Sequence, residues 1–225
     1  MHLSEHFYFD ADDGFSGAMP LHLHTLSAVS GSWWSGPLDE RGIPISYQRD
    51  GSPRGYYLKE VDGNRAVVRF KAAGKPASHQ MRITLDTGFP RHRLGIRRDY
   101  RHGELLGNRI DVAQVYSTQV LVNLFDGGPM SSVEYTLGDG SPTPMERTVR
   151  TDPFVEELFQ RASDTFKPWI EVRPCTHLWA APLPEDLPPG VHTITVRAYD
   201  DYGQEHMAHK IFEVYSLADT SPAGD

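Results

Sequence analysis

Histidines are frequent in this sequence of 225 residues, which holds 11 of them, so metal chemistry is the first possibility to consider. His22 and His24 lie two residues apart in an alternating stretch, so both imidazoles would face the same side of a strand. Such a pair is half of a metal site, because a complete site needs further ligands and supporting hydrogen bonds. No Cys-x-x-Cys, His-Glu-x-x-His or Asp-x-His string accompanies the pair. We therefore expect two half-exposed strand histidines and no metal ligand.

Nucleophilic and phosphate-binding motifs are absent as well. The sequence holds neither a Gly-x-Ser-x-Gly elbow nor a Gly-x-x-x-x-Gly-Lys-[Ser/Thr] loop, and no catalytic residue is predicted. The single cysteine, Cys175, excludes an internal disulfide framework and a cysteine-based zinc site. We expect Cys175 to pack as a small apolar residue at the start of a strand.

Two adjacent tryptophans, Trp33 and Trp34, are flanked by glycines and run into a long loop. Long loops are usually functional or disordered, and the tryptophans argue against disorder. In one interpretation, one ring packs in the core and the other lines an interface. In the alternative, the rings form the aromatic wall of a ligand cleft and stack on a sugar or a base. The candidate substrate-binding residues of this region are Trp33, Trp34, Asp39, Arg41 and Arg54.

Residues 88–112 form a basic stretch in an otherwise acidic chain with a net charge of -8. Its arginines extend from Arg91 to Arg109 and outnumber the acidic residues among them. The stretch is either a solvated linker or docking surface, or a site for an anionic substrate or partner. The overall negative charge argues against general binding to nucleic acid or to an anionic membrane. No apolar run approaches the roughly 18 residues of a membrane span, so none is predicted.

Short strands and turns are predicted throughout, because 20 glycines and 17 prolines punctuate the sequence. The clearest signal is a terminal hairpin over residues 191–214, in which Ile194, Val196 and Ala198 alternate with polar residues. A second hairpin is predicted over residues 56–71, around the turn Asp62-Gly63. Each hairpin needs further strands to bury its apolar face.

One helix is predicted to begin at Asp152-Pro153, with the aspartate as its N-cap. Its apolar face would consist of residues four apart, namely Phe154, Leu158, Ala162 and Phe166. We predict a mostly β chain in which residues 112–216 form an immunoglobulin-like β-sandwich with this one inserted helix and with Trp179 in its core.

Several short strings are weak signals alone but fairly specific in their order and spacing. They occupy residues 29–36, 50–56, 71–75, 80–82, 144–147, 177–179, 187–192 and 200–203. Together they resemble the C-terminal part of bacterial calcineurin-like metallophosphoesterases, and the resemblance covers roughly residues 28–214. It implies a hydrolase of phosphoric esters in which two divalent metal ions hold a hydroxide and the phosphoryl oxygens.

The metal-binding strings of such enzymes are Asp-x-His, Gly-Asp-x-x-Asp, Gly-Asn-His-[Asp/Glu] and Gly-His-x-His, and none occurs in this sequence. We therefore expect the non-catalytic C-terminal part of such an enzyme, inactive alone and without a cofactor of its own. Its partners would be the missing N-terminal catalytic part, which carries the two metal ions, and a phosphoester substrate of the intact enzyme. The resemblance also implies a periplasmic or extracellular location.

The resemblance divides the chain into four segments. Residues 1–88 would be the final strands and tryptophan-rich loop of a metallophosphoesterase-type sandwich, and residues 89–111 a basic linker. Residues 112–216 would be the immunoglobulin-like domain and residues 217–225 a tail. Two other functions stay open: a stand-alone β-sandwich module that binds carbohydrate or an anionic ligand, and a small metal hydrolase built on His22 and His24.

Overall fold

Two β-sheets packed face to face form the centre of the protein, whose computed structural model describes residues 3–31, 35–39, 41–87, 108–161 and 164–216. The strands are β1 (Glu5–Phe9), β2 (Leu21–Thr25), β3 (Gly55–Asp62), β4 (Arg65–Ala72), β5 (Met81–Asp86), β6 (Arg109–Asp111), β7 (Gln119–Leu124), β8 (Ser132–Leu137), β9 (Thr143–Pro144), β10 (Glu146–Thr151), β11 (Pro174–Pro182), β12 (Gly190–Tyr199) and β13 (Glu205–Tyr215). The described helices are a 3-10 helix (Val112–Ser117) and α1 (Pro153–Arg161).

The two sheets have the strand orders β10-β11-β7-β5 and β6-β13-β12-β8-β9, and β1-β2 and β3-β4 form separate hairpins. Alternate residues of each sheet point inward, and the shared core consists of buried side chains such as Val120, Val122, Trp179, Ile194, Val196 and Phe212. Burying each large apolar side chain contributes about 1.5–3 kcal/mol. The predicted β-sandwich is therefore confirmed, and so is the core position of Trp179.

The terminal hairpin has the predicted strands and turn. The β12–β13 register runs from Gly190 opposite Val214 to Tyr199 opposite Glu205, and Gly203 has a φ of 75° in the turn between them. β12 also pairs with β8, so β12 is a central strand. This position explains the complete burial of its alternating apolar residues, Ile194, Val196 and Ala198.

The second predicted hairpin is also confirmed, as β3 and β4. Gly63 takes a φ of 58° in its turn, a conformation that glycine adopts without a steric cost. At the other end of the hairpin, Phe70 and Ala72 pack against Phe125, which follows β7. This small cluster attaches the hairpin to the sandwich.

Strand β5 belongs to the first predicted segment, residues 1–88. In the structure it pairs along its whole length with β7, which belongs to the predicted domain of residues 112–216. The four segment boundaries themselves stay predictions. Residues 88–107 and 217–225 lie outside the described residues, and they include most of the Arg91–Arg109 stretch. Arg109 itself begins β6, and its Nε lies 2.7 Å from a carboxylate oxygen of Glu213.

Helix α1 begins directly after Asp152, whose side chain accepts a hydrogen bond of 2.9 Å from a backbone N–H of the first turn. The predicted apolar face is wrong at Phe166, which lies in a bend beyond Arg161, the last described helical residue; Ala162 lies outside the described residues. Pro168 disfavours helix in the residue before it, and Phe166 instead contacts Phe159 at a ring distance of 4.9 Å. In the described residues, no helix has the length and apolar character needed to cross a membrane.

A buried polar network joins the loop that contains Asp50 to the sheet β10-β11-β7-β5. The His177 ring is fully buried, with Nε2 3.1 Å from Asp50 Oδ2 and Nδ1 3.0 Å from Asn123 Oδ1. Burial lowers the pKa of His177, but Cys175 and Asp50 outweigh burial and raise this pKa well above its usual value. Both ring nitrogens face acceptor oxygens, one on the Asp50 carboxylate and one on the Asn123 amide, so His177 donates from both as an imidazolium. Cys175 is buried near the start of β11, as predicted.

Replacing Asp50 with alanine removes the carboxylate that balances this buried imidazolium. We expect the free energy of unfolding, measured by urea titration, to fall by about 3–5 kcal/mol. Asp139→Ala in an exposed turn is the control and should change it by no more than about 0.5 kcal/mol. Equal effects of the two substitutions would contradict the assignment of a charge pair.

Candidate functional site

The β1–β2 hairpin carries four ring side chains on one face. Its register pairs His6 with His24 and Tyr8 with His22, and residues two apart on a strand share a face. The His6 and His24 ring centroids lie 3.9 Å apart, and those of Tyr8 and His22 lie 4.4 Å apart. His22 and His24 are half-buried, and His6 is buried. The two histidines noticed in the sequence are thus part of a larger cluster.

Two aspartates at one end of the sandwich face this cluster. Asp126 directly follows β7, and Asp201 lies in the turn between β12 and β13. β8 and β12 are antiparallel, with Ser132 opposite Tyr199, so the β7–β8 connection and the β12–β13 turn meet at the same end. The sheet topology therefore places both carboxylates beneath the hairpin.

The backbone approaches closely where the two turns meet. Gly128 N–H donates to Asp201 Oδ1 at 3.0 Å, and a Cβ on Gly128 would lie 2.7 Å from His6 Cγ. Only glycine fits at this position. Asp126 has a φ of 68°, a left-handed conformation that carries strain for a residue with a Cβ and tends to occur at functional sites.

His6 lies between the two aspartates. Its Nε2 is 3.1 Å from the backbone carbonyl oxygen of Asp126, and its Nδ1 is 2.8 Å from His22 Nε2 and 3.6 Å from Asp201 Oδ2. A carbonyl oxygen can only accept, so His6 Nε2 carries the proton. The lone pair of His6 Nδ1 therefore points towards His22 and Asp201.

His24 and Ser4 satisfy the carboxylate of Asp126. His24 Nε2 lies 2.7 Å from Asp126 Oδ1, the Ser4 hydroxyl donates to the same oxygen, and His24 Nδ1 lies 2.9 Å from the Tyr202 hydroxyl. Burial raises the pKa of Asp126, but interactions with His24, His6 and Ser4 outweigh burial and lower this pKa to about 2. Asp126 is thus a carboxylate that holds the hairpin.

Asp201 has donors on both carboxylate oxygens. Gly128 N–H and the Ser131 hydroxyl donate to Oδ1, and the Tyr8 hydroxyl donates to Oδ2 at 2.8 Å. Burial and the hydrogen bond to Asp201 raise the pKa of Tyr8 above its usual value, so Tyr8 keeps its proton. Burial is the main cause that lowers the pKa of His22.

Two overlapping groups in this cluster have donors placed for a divalent cation. They are His6, His24 and Asp126, and His6, His22 and Asp201; the ligand atoms of each group lie within 4.8 Å of one another. Imidazole nitrogens and carboxylate oxygens together suit zinc and related first-row metals. The hydrogen bonds also hold the hairpin against the sandwich.

The substrate-binding residues predicted from the sequence fall in different places. Trp33 and Trp34 lie outside the described residues. Asp39 and Arg41 form an ion pair of 2.7 Å, and the hydrogen bond from Arg41 lowers the pKa of Asp39. Arg54 is exposed next to β3. The structure thus brings Asp39 and Arg41 together, and the substrate-binding role of all five residues stays a prediction. The binding-module alternative also stays a prediction, since both tryptophans and most of its arginines lie outside the described residues.

Sequence reasoning missed His6, Asp126 and Asp201. His6 and Tyr8 alternate in β1 as His22 and His24 do in β2, which is a weak signal for two facing strands. The two aspartates resemble ordinary turn residues beside glycines. Only the three-dimensional pairing of distant turns distinguishes them.

Replacing Asp126 with alanine removes the acceptor of His24 and Ser4 and leaves a β-carbon in a strained conformation. We expect faster amide hydrogen exchange in β1 and β2 with little change in β12 and β13, and a loss of about 3 kcal/mol in the free energy of unfolding. The control is Asp62→Ala at the exposed end of β3. Unchanged exchange in β1 and β2 would show that Asp126 does not hold the hairpin.

The comparisons with known proteins agree with the resemblance read from the sequence. A family model described as the C terminal of calcineurin-like phosphoesterase matches residues 24–206, which is most of the chain. The match runs from within β2 to the start of β13 and includes both aspartates of the cluster. Searches of curated proteins and of solved structures find no match. The chain therefore belongs to the calcineurin-like phosphoesterase family, as its C-terminal domain.

Proposed function

We propose that this chain is the non-catalytic C-terminal part of a metal-dependent phosphoric ester hydrolase and that it supports the fold of the enzyme and access of the substrate. The observation that carries the proposal is the family match over residues 24–206. The sequence has none of the four strings that hold the two metal ions of such enzymes. In the proposed enzyme, an N-terminal catalytic part supplies those ions and the attacking hydroxide.

The β1–β2 hairpin is the proposed contact with the catalytic part. Its second face carries apolar side chains, and Phe7, Leu21 and Leu23 are 42%, 51% and 49% exposed. A two-stranded sheet with an exposed apolar face gains stability when further strands or another domain cover that face. This arrangement supports the prediction that residues 1–88 contribute the last strands of a catalytic sandwich.

The loop that contains Asp39 and Arg41 is the proposed edge of the substrate entrance, together with Trp33, Trp34 and Arg54. The Arg41 side chain is 74% exposed although it pairs with Asp39. A guanidinium group recognises phosphate oxygens through paired N–H groups, so Arg41 suits a phosphoester substrate. An immunoglobulin-like connectivity of the sandwich, a bacterial source and a periplasmic or extracellular location belong to the same proposal.

The proposal predicts that the chain alone does not hydrolyse p-nitrophenyl phosphate or bis-p-nitrophenyl phosphate with Mn²⁺, and that the chain joined to its catalytic part does. Leu23→Glu should lower the activity of the joined enzyme about tenfold or more, since it places a charge on the covered face. Leu58→Glu on β3, where Leu58 is 52% exposed, is the matched control and should have little effect.

Two results would contradict the proposal. Metal-dependent hydrolysis by the chain alone would show that it is catalytic. Full activity of the Leu23→Glu enzyme would show that the hairpin face is not the contact. For the loop, Arg41→Ala should raise KM more than it lowers kcat, because Arg41 would bind the substrate without taking part in the chemistry.

A further inference from the structure

His6, His22 and Asp201 each place one donor atom within 4.8 Å of the other two. His6 Nδ1 lies 2.8 Å from His22 Nε2 and 3.6 Å from Asp201 Oδ2. Ligands of a tetrahedral zinc ion, with zinc–nitrogen distances of about 2.0–2.1 Å, lie about 3.3 Å from one another. These two separations differ from this spacing by about 0.5 Å or less, and His22 Nε2 lies within 4.8 Å of the Asp201 carboxylate oxygen. Small rotations of the rings would therefore admit the ion.

The protonation of His6 fits the role of a metal ligand. Its Nε2–H donates to the backbone carbonyl oxygen of Asp126 at 3.1 Å, so Nδ1 is the nitrogen available to a metal. Without an ion, Nδ1 lies in a hydrogen bond of 2.8 Å with His22 Nε2, and a metal ion would replace the shared proton. A hydrogen bond from the second ring nitrogen to a carbonyl or carboxylate oxygen is the usual support of metal-binding histidines, because it fixes the tautomer and the ring orientation.

The other two ligands are also held in position, Asp201 by hydrogen bonds and His22 by ring stacking. Asp201 Oδ1 is fixed by Gly128 N–H and the Ser131 hydroxyl, and the Tyr8 hydroxyl donates to Oδ2. The Tyr8 ring lies parallel to the His22 ring, with an angle of 7° between their planes. The three donors are therefore held in place before any ion binds, which lowers the cost of binding.

Charge also favours a divalent cation. The side chains of Asp126 and Asp201 are 7% and 0% exposed, and in the described part of the chain all of their ion-pair partners are histidines. A buried carboxylate is costly without a counter-charge, and a divalent cation bound by Asp201 would supply one.

The second group of donors, His6 with His24 and Asp126, is less suited to a metal ion. It would need His6 Nε2, which already donates to the Asp126 carbonyl oxygen. Both nitrogens of His24 are engaged, by Asp126 on one side and Tyr202 on the other. His24 and Asp126 thus serve as a neighbouring hydrogen-bonded pair.

We propose that His6 Nδ1, His22 Nε2 and Asp201 Oδ2 bind one zinc ion, with the fourth position open to water or to another donor. The ion joins β1, β2 and the β12–β13 turn, which are far apart in the sequence, so it fixes the hairpin against the sandwich. This differs from the expectation that the chain holds no metal ligand, because the sequence alone showed only His22 and His24 as a pair. The proposal does not depend on the proposed function, since such an ion would hold the hairpin with or without a catalytic partner.

Isothermal titration of the full chain, stripped with EDTA, with zinc chloride tests the site. We expect one zinc ion per chain, and a dissociation constant that rises about 100-fold or more in His22→Gln and in Asp201→Asn. Zinc at a hundred times its dissociation constant should raise the Tm of the unmodified chain by about 5 °C or more, and should not do so in these variants.

His24→Gln is the matched control, because it changes a neighbouring ring that is not a ligand and should leave zinc affinity nearly unchanged. Absence of zinc binding to the unmodified chain, or undiminished binding in both His22→Gln and Asp201→Asn, would overturn the proposal. Loss of binding in His24→Gln alone would overturn the ligand set. If the variants do not fold, as judged by circular dichroism, X-ray absorption of the zinc-loaded unmodified chain decides: two imidazoles support the site, and none or three contradict it.

Discussion

Buried negative charge at one end of the sandwich determines how the N-terminal hairpin is placed. Asp126 and Asp201 have no stable position in a dry interior without donors, because an uncompensated buried carboxylate costs several kcal/mol. Gly128 and Ser131 donate to Asp201 from within the sandwich. The remaining donors to the two carboxylates are His24, Tyr8 and Ser4, which come from the hairpin and the residue before it. The hairpin therefore packs against the sandwich through polar contacts, and these contacts compensate the buried charges of the two aspartates.

His177 and His6 are both buried histidines, but they have different roles. His177 donates from both ring nitrogens, to Asp50 and Asn123, so it acts as a charged structural link with no free lone pair. His6 donates from one nitrogen and keeps a lone pair on the other, directed at His22 and Asp201. Only the second arrangement offers a ligand atom to a cation.

The sequence is informative wherever structure depends on local alternation. The pattern at Ile194, Val196 and Ala198 predicts β12 correctly, and Asp62-Gly63 predicts the β3–β4 hairpin, since both signals lie within one strand or turn. The prediction that Phe166 lies on the face of α1 was wrong, because Phe166 makes its apolar contact with Phe159 from a bend after the helix. The spacing of apolar residues cannot separate these two solutions.

The candidate site could not be predicted, because it depends on pairings that no local pattern contains. Asp126 and Asp201 become neighbours only when β8 pairs with β12, and His6 reaches them only when the hairpin lies on that end. A single sequence shows each aspartate as a turn residue. The family resemblance helped with the fold and not with this cluster, because the strings that carry it do not show which side chains meet.

The two faces of the β1–β2 hairpin make different kinds of contact. One face is polar and contacts the sandwich, and the other exposes the apolar side chains of Phe7 and Leu23. Each contact orders the same ten strand residues, so a ligand that fixes the polar face lowers the entropy cost of covering the apolar face. By linkage, covering the apolar face would strengthen binding at the polar face by the same factor. A metal ion at His6, His22 and Asp201 would therefore act on the contact with a catalytic part without touching it.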